Sequence, residues 1–68
     1  MTRIILYGQK SIHIDGYKNI ISFSEDRICI QCKKNAVEIT GDKLFVSSFS
    51  GIEMTIGGKI TGIRWIDM

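Results

Sequence analysis

The stretch from residue 37 to residue 46 constrains the fold most, because its alternation and its turn signal agree on one register. A two-residue loop at Gly41 and Asp42, with glycine first, is typical of a type II′ β-hairpin. This loop places the four aliphatic side chains at positions 37, 39, 44 and 46 on one face. A slip of one residue would expose all four and bury Glu38 and Lys43. We therefore predict a β-hairpin here with a strongly specified register.

Short strands are predicted before and after this hairpin. Residues 4–7 and 11–15 are separated by a glycine-containing turn, and residues 11–15 alternate between apolar and polar side chains. The next connection should be longer than two residues and should include Tyr17 and Lys18. Near the C-terminus, a turn is predicted at residues 57–59.

Two-residue loops also predict the registers of the middle hairpins. The first loop sets Phe23 opposite Ile28 and Ile21 opposite Ile30. The second loop, at Lys34 and Asn35, sets Ile30 opposite Ile39, so the same apolar face continues from one hairpin to the next. Period-two alternation dominates the chain, and no helical stripe of useful length is present in the sequence.

These patterns predict a single all-β domain over residues 1–68. We expect an antiparallel meander of about seven or eight short strands, closing as a small barrel or roll or as a two-layer sandwich. A short β-solenoid is the alternative, because residues 12–16, 37–41 and 54–58 resemble one another in pattern.

Composition limits both stability and function. The 68 residues are 44% hydrophobic, contain no proline and have a formal net charge of +2. A domain this small buries only about 60% of the surface of its unfolded chain, so we expect support from homo-oligomerisation. The charge is too small to indicate a polyanionic partner. The first apolar run is too short for a signal peptide or a membrane span, so we expect a cytoplasmic protein.

The two cysteines form a C-x-x-C pattern, which in other proteins can bind zinc or undergo redox chemistry. Cys29 and Cys32 lie in a predicted strand, where residues three apart point to opposite faces. They therefore cannot share a metal ion or form a disulfide without disrupting the strand. We predict a core position for Cys32, a surface position for Cys29 and no metal site.

No catalytic constellation is recognisable. His13 is the single histidine, and Asp15 lies on the same predicted strand face. A general base also needs a substrate or nucleophile in reach, and serines are too common in this chain to identify one. We interpret His13 as a surface residue and predict a non-enzymatic protein without a cofactor or small-molecule substrate.

Charged and aromatic residues indicate a candidate interaction surface. The register puts Phe45 on an otherwise polar face, and Phe49 lies in a serine-rich segment. Lys33 lies on the outer face of a predicted strand, and Lys34 lies in the turn that follows. We predict that these four residues belong to a self-association or partner surface. The alternative is a small nucleic-acid-binding barrel with Tyr17, Phe45 and Phe49 as stacking platforms. Acidic residues in the same hairpins argue against that alternative.

The order of these motifs resembles the YabP/YqfC family of sporulation proteins, most closely the YqfC branch. The matching pieces are residues 3–8 (RIILYG), 16–25 (GYKNIISFSE), 27–28 (RI), 37–41 (VEITG) with Leu44, 53–60 (EMTIGGKI) and 63–65 (IRW). Each piece is an ordinary β pattern, and the order and spacing of the pieces together make the resemblance specific.

The resemblance implies a non-enzymatic structural or adaptor protein in spore envelope assembly, acting through protein–protein contacts. Such proteins are associated with membrane-protein partners in the mother cell. The implied location is therefore the mother-cell cytoplasm, at the forespore envelope. No catalytic residue can be carried over from the family, and its members usually carry an N-terminal extension before the first matched strand.

Overall fold

Six antiparallel strands form one sheet in the computed structural model, which describes residues 2–67. The strands are β1 (Arg3–Tyr7), β2 (Ser11–Asp15), β3 (Asn19–Phe23), β4 (Arg27–Gln31), β5 (Asn35–Phe49) and β6 (Glu53–Asp67). Their order across the sheet is β1-β2-β6-β5-β4-β3. The all-β antiparallel prediction is confirmed, and the antiparallel pairing of all neighbouring strands rules out the solenoid alternative.

β5 is one strand of 15 residues, so the hairpin predicted at Gly41 and Asp42 is wrong. Asp42 pairs with Lys59, whereas Phe45 pairs with Gly57. The two residues between Asp42 and Phe45 therefore lie opposite a single β6 residue, which is the geometry of a β-bulge. The chain passes through this point without reversing.

Close packing against β6 explains why a turn-like sequence occurs inside β5. A Cβ atom on Gly41 would collide with the carbonyl oxygen of Lys59, so glycine permits the two strands to approach. Lys43 has a φ of 52° and Gly58 a φ of 120°, which bends both strands at the same level. A bulge changes which side chains point to each face of the sheet, and a two-residue loop at this position would change it in the same way. Leu44 is consequently buried, as the hairpin register also required.

β6 likewise continues through residues 57–59, where a turn was predicted. In the middle of the sheet, the pairing of Phe23 with Ile28 is confirmed. The predicted pairing of Ile21 with Ile30 is wrong, because β3 has a bulge at Ile21 and Ile20 pairs with Ile30 instead.

The register between β4 and β5 differs from the prediction by two residues. Ile30 pairs with Val37 rather than with Ile39, because the loop closes one residue earlier than predicted. A shift of two residues keeps every side chain on its predicted face. Val37 and Ile39 are accordingly both fully buried.

The bends in β5 and β6 divide the sheet into two halves around one core. The β1 half consists of β1, β2 and the paired segments 45–49 and 53–57; the β3 half consists of β3, β4 and segments 35–40 and 62–67. Side chains from both halves form a single buried cluster. Since residues 2–67 contain no helix and no second sheet, each half must cover the other. The fold is an open roll.

Tyr17 lies in the connection that crosses from the β1 half to the β3 half. Its side chain is buried, and its hydroxyl donates a hydrogen bond to the Ser50 carbonyl oxygen at 3.1 Å. Burial raises the pKa of the Tyr17 hydroxyl above its usual value of 10.0. The predicted long connection between β2 and β3 is confirmed.

Candidate functional site

The four residues of the predicted interaction surface lie in different parts of the roll. Phe45 pairs with Gly57 on the outer face, and its ring lies over that glycine while remaining about half exposed. Phe49 pairs with Met54, which belongs to the core, and its ring lies 6.3 Å from that of Tyr17. An irregularity between positions 46 and 48 reverses the alternation and puts Phe45 and Phe49 on opposite faces.

Lys33 and Lys34 lie in the turn that precedes β5, at the opposite end of that strand from Phe49. They border a shallow groove together with Asn35 and Trp65. The structure thus separates the two lysines from the two phenylalanines. It also buries Tyr17, so this residue is not available as an exposed stacking platform for a nucleic-acid base.

The two cysteines lie on opposite faces of the sheet, as predicted. Cys29 pairs with Glu38 on the polar face, whereas Cys32 is buried in the core. Both are free thiols.

Two short strands form the edges of the sheet, and they differ in regularity. β1 and β3 have five residues each and the same burial pattern, in which four positions are exposed and the second is half-buried. β1 pairs with β2 without interruption from Arg3 to Tyr7. The pairing of β3 with β4 is broken by the bulge at Ile21. Bulges and charged residues at sheet edges discourage pairing with other chains, and β1 has no bulge.

The β1 edge exposes apolar side chains next to a strand backbone whose outer side has no partner among the described strands. Ile5, Leu6 and Tyr7 are 37%, 53% and 57% exposed. Among the described strands, only β2 has Cα atoms within 8 Å of β1. A cleft of about 290 Å³ lies beside Leu6, between β1 and the segment 60–63 of β6. This edge could accept another strand, with room for a side chain beside Leu6.

A group of polar side chains covers the outer face next to β1. The His13 Nε2 atom lies 3.4 Å from Glu53 Oε1 and 4.0 Å from Asp15 Oδ2. His13 Nδ1 lies 3.1 Å from the hydroxyl of Thr55, and Arg3 donates a 3.3 Å hydrogen bond to Asp15. Sequence reasoning put His13 and Asp15 on one strand face. It did not link them with Glu53, because the neighbour relation of β2 and β6 is not visible in the sequence.

The corresponding face of the β3 half has a different charge arrangement. The carboxylate of Glu38 lies 3.0 Å from Arg64 and 3.7 Å from Arg27. One carboxylate therefore lies between two guanidinium groups, whereas beside β1 the guanidinium of Arg3 pairs with Asp15 alone among the described carboxylates.

Comparison with known proteins identifies the family to which this sequence belongs. The model of the YabP family matches residues 1–68, the whole chain. The chain belongs to the YabP family. It is also 22% identical over 67 residues to the Bacillus subtilis (strain 168) protein described as "Uncharacterized protein YqfC", an alignment that covers 98% of this chain and 72% of that relative. No solved structure matches the chain.

The YabP family membership confirms the resemblance that the motifs indicated. Within residues 2–67, no helix is long and apolar enough to cross a membrane.

Proposed function

We propose that this YabP family chain is a non-catalytic protein-interaction module of endospore formation, which associates with a second copy of itself through the β1 edge. The observation that most supports this proposal is the regular, apolar β1 strand, whose outer edge has no partner among the described strands. The resemblance to sporulation proteins supports the cellular role. We place its action in the mother-cell cytoplasm, at the forespore envelope.

The sequence of β1 is self-complementary in an antiparallel pairing. If two copies meet about a two-fold axis at Ile5, Ile4 of one copy lies opposite Leu6 of the other, and Arg3 lies opposite Tyr7. The first pair joins two aliphatic side chains, and the second allows a cation–π contact. The same operation on β3 would place Asn19 opposite Phe23 and would meet the bulge at its centre.

The expected dimer is weak enough to depend on concentration. A five-residue edge buries less surface than a standard protein interface, which involves about 800 Å² on each partner. Tight association would need further contacts, for which the cleft beside Leu6 provides space.

The experiment measures mass by light scattering over a concentration series, for the native chain and two matched variants. Leu6→Lys adds a charge at a β1 position that is 53% exposed, and Ile21→Lys adds the same charge at a β3 position that is 48% exposed. We expect the native chain and Ile21→Lys to rise from 7.7 kDa toward twice that mass, and Leu6→Lys to remain a monomer.

Equal behaviour of the two lysine variants would overturn the assignment to β1. The cellular part of the proposal is tested with the same alleles, by counting heat-resistant spores of the organism that carries the gene. We expect fewer spores with Leu6→Lys than with Ile21→Lys. An unchanged spore count after deletion of the whole gene would contradict a role in sporulation.

A further inference from the structure

Two carboxylates lie directly opposite each other on the outer face of the β1 half. Asp15 of β2 and Glu53 of β6 are cross-strand partners. Like charges at directly opposite positions destabilise a sheet unless a cation lies between them. Arg3 meets Asp15 at 3.3 Å, but its guanidinium is 70% exposed and therefore strongly screened by solvent. The pair still lacks a closely held counter-charge.

His13 adds a third potential metal ligand to this pair. It lies on the same face of β2 as Asp15, and one ligand atom from each of His13, Asp15 and Glu53 lies within 4.8 Å of the other two. When Nδ1 of His13 donates its proton to the Thr55 hydroxyl, the lone pair of Nε2 faces the carboxylates. Thr55 thus orients the imidazole as hydrogen-bonded neighbours do in metal sites.

We propose that His13, Asp15 and Glu53 bind one divalent transition-metal ion of the zinc class, with water in the fourth position. A tetrahedral ion with bonds of about 2.0–2.2 Å places neighbouring ligand atoms roughly 3.3–3.5 Å apart. The 3.4 Å between His13 Nε2 and Glu53 Oε1 meets this requirement. The 4.0 Å between His13 Nε2 and Asp15 Oδ2, and a largest separation within 4.8 Å across the group, require side-chain movements of about 1 Å when the ion binds.

The donor set selects the class of ion. An imidazole nitrogen with two carboxylate oxygens suits zinc and its neighbours, whereas magnesium and calcium prefer oxygen ligands alone. Two carboxylates also neutralise the charge of a divalent ion. Arg3 competes with the ion for Asp15 and must give up its hydrogen bond when the ion binds.

An ion at this position would connect β2 to β6 and so hold the β1–β2 hairpin against the long strands. Because the three ligands meet only in the folded chain, the ion should stabilise the fold in proportion to its occupancy. At a hundredfold excess of free ion over Kd, we expect the Tm to rise by roughly 10 °C or more.

The experiment titrates ZnCl2 alone into a Cys29→Ser chain, which removes the accessible thiol. Binding is followed by calorimetry and by the proton NMR signals of His13, the single histidine of the chain. We expect a single Zn²⁺ per chain and a shift of the imidazole signals. His13→Gln and Glu53→Gln should each weaken binding at least about tenfold. Arg3→Gln should strengthen it.

The matched control is Glu25→Gln, which makes the same charge change as Glu53→Gln at an exposed position of the β3–β4 turn. Its affinity should equal that of the parent. Equal losses in Glu25→Gln and Glu53→Gln, or unshifted His13 signals at millimolar Zn²⁺, would overturn the proposal. If His13→Gln does not fold, Glu53→Gln and Arg3→Gln decide the question, because their effects on affinity must have opposite signs.

Discussion

The two edges of the sheet have equal length and equal burial but different regularity. β1 and β3 each contain five residues and follow the same pattern of exposure. β1 keeps an uninterrupted register with its neighbour, whereas a bulge at Ile21 interrupts β3. A bulge twists an edge strand and disturbs its row of hydrogen-bonding groups, which makes the addition of another strand difficult. β3 therefore has a built-in protection that β1 lacks.

This difference in regularity is the reason for assigning the interaction to β1. Exposed apolar surface alone would not distinguish the two edges. Ile21 and Phe23 on β3 are about as exposed as Leu6 and Tyr7 on β1. If exposed apolar surface alone decided association, both edges would pair equally. Backbone regularity is what distinguishes them, and the following predictions test that distinction.

The largest expected change in the free energy of unfolding comes from core substitutions beneath the two edges. These substitutions test whether the core stabilises both edges equally. Ile14→Ala removes a fully buried side chain paired with Ile4 of β1, and Ile30→Ala removes one paired with Ile20 of β3. Each should lower the free energy of unfolding by about 2–5 kcal/mol. Urea denaturation at low protein concentration should give values within about 1 kcal/mol of each other.

A much smaller loss for Ile14→Ala would mean that β1 is only loosely held, and the comparison of two equally formed edges would fail. If either alanine variant does not fold, the valine variants at the same positions give a milder comparison, with expected losses of about 0.5–1.5 kcal/mol.

A smaller effect is expected for Tyr17, which lies in the connection between the β1 half and the β3 half. Tyr17→Phe removes the hydrogen bond to the Ser50 carbonyl oxygen and should cost about 0.5–1.5 kcal/mol. Burial raises the pKa of this hydroxyl, so the unfolded chain loses the proton before the folded chain does. The contribution of the Tyr17 hydroxyl to the free energy of unfolding is fully present below pH 10.0 and is lost as the pH rises above that value.

Denaturation curves on both sides of pH 10.0 check this prediction, with Tyr7→Phe on the exposed β1 edge as the control. The decline attributed to Tyr17 should disappear in Tyr17→Phe and persist in Tyr7→Phe. An equal decline in the native chain and Tyr17→Phe would show that the crossing is not held by this hydroxyl.

Alternation in the sequence predicted the faces of most core residues but not the connectivity of the long strands. Leu44 is buried whether positions 41 and 42 form a loop or precede a bulge, because both change the alternation in the same way. Sequence reasoning therefore found the core side chains while mistaking one bent strand for a hairpin. Only the approach of Gly41 to Lys59, far along the chain, distinguishes the two structures.

The candidate sites depend even more on contacts between distant parts of the chain. That β1 is an edge, and that Asp15 lies opposite Glu53, follow from the pairing of β2 with β6. Local patterns contain no information about which strands are neighbours. The apolar character of residues 4–7 was visible in the sequence, but the absence of an outer partner among the strands of residues 2–67 was not.

Hydrogen exchange of the backbone amides, measured strand by strand at low and high protein concentration, tests the role of the β1 edge most directly. We predict that protection of β1 rises with concentration while protection of β3 stays constant. Deletion of Ile21, which would remove the bulge, should make β3 depend on concentration as well. Unchanged protection of β1 in a sample whose mass has doubled, or a rise confined to β3 in the native chain, would contradict the account.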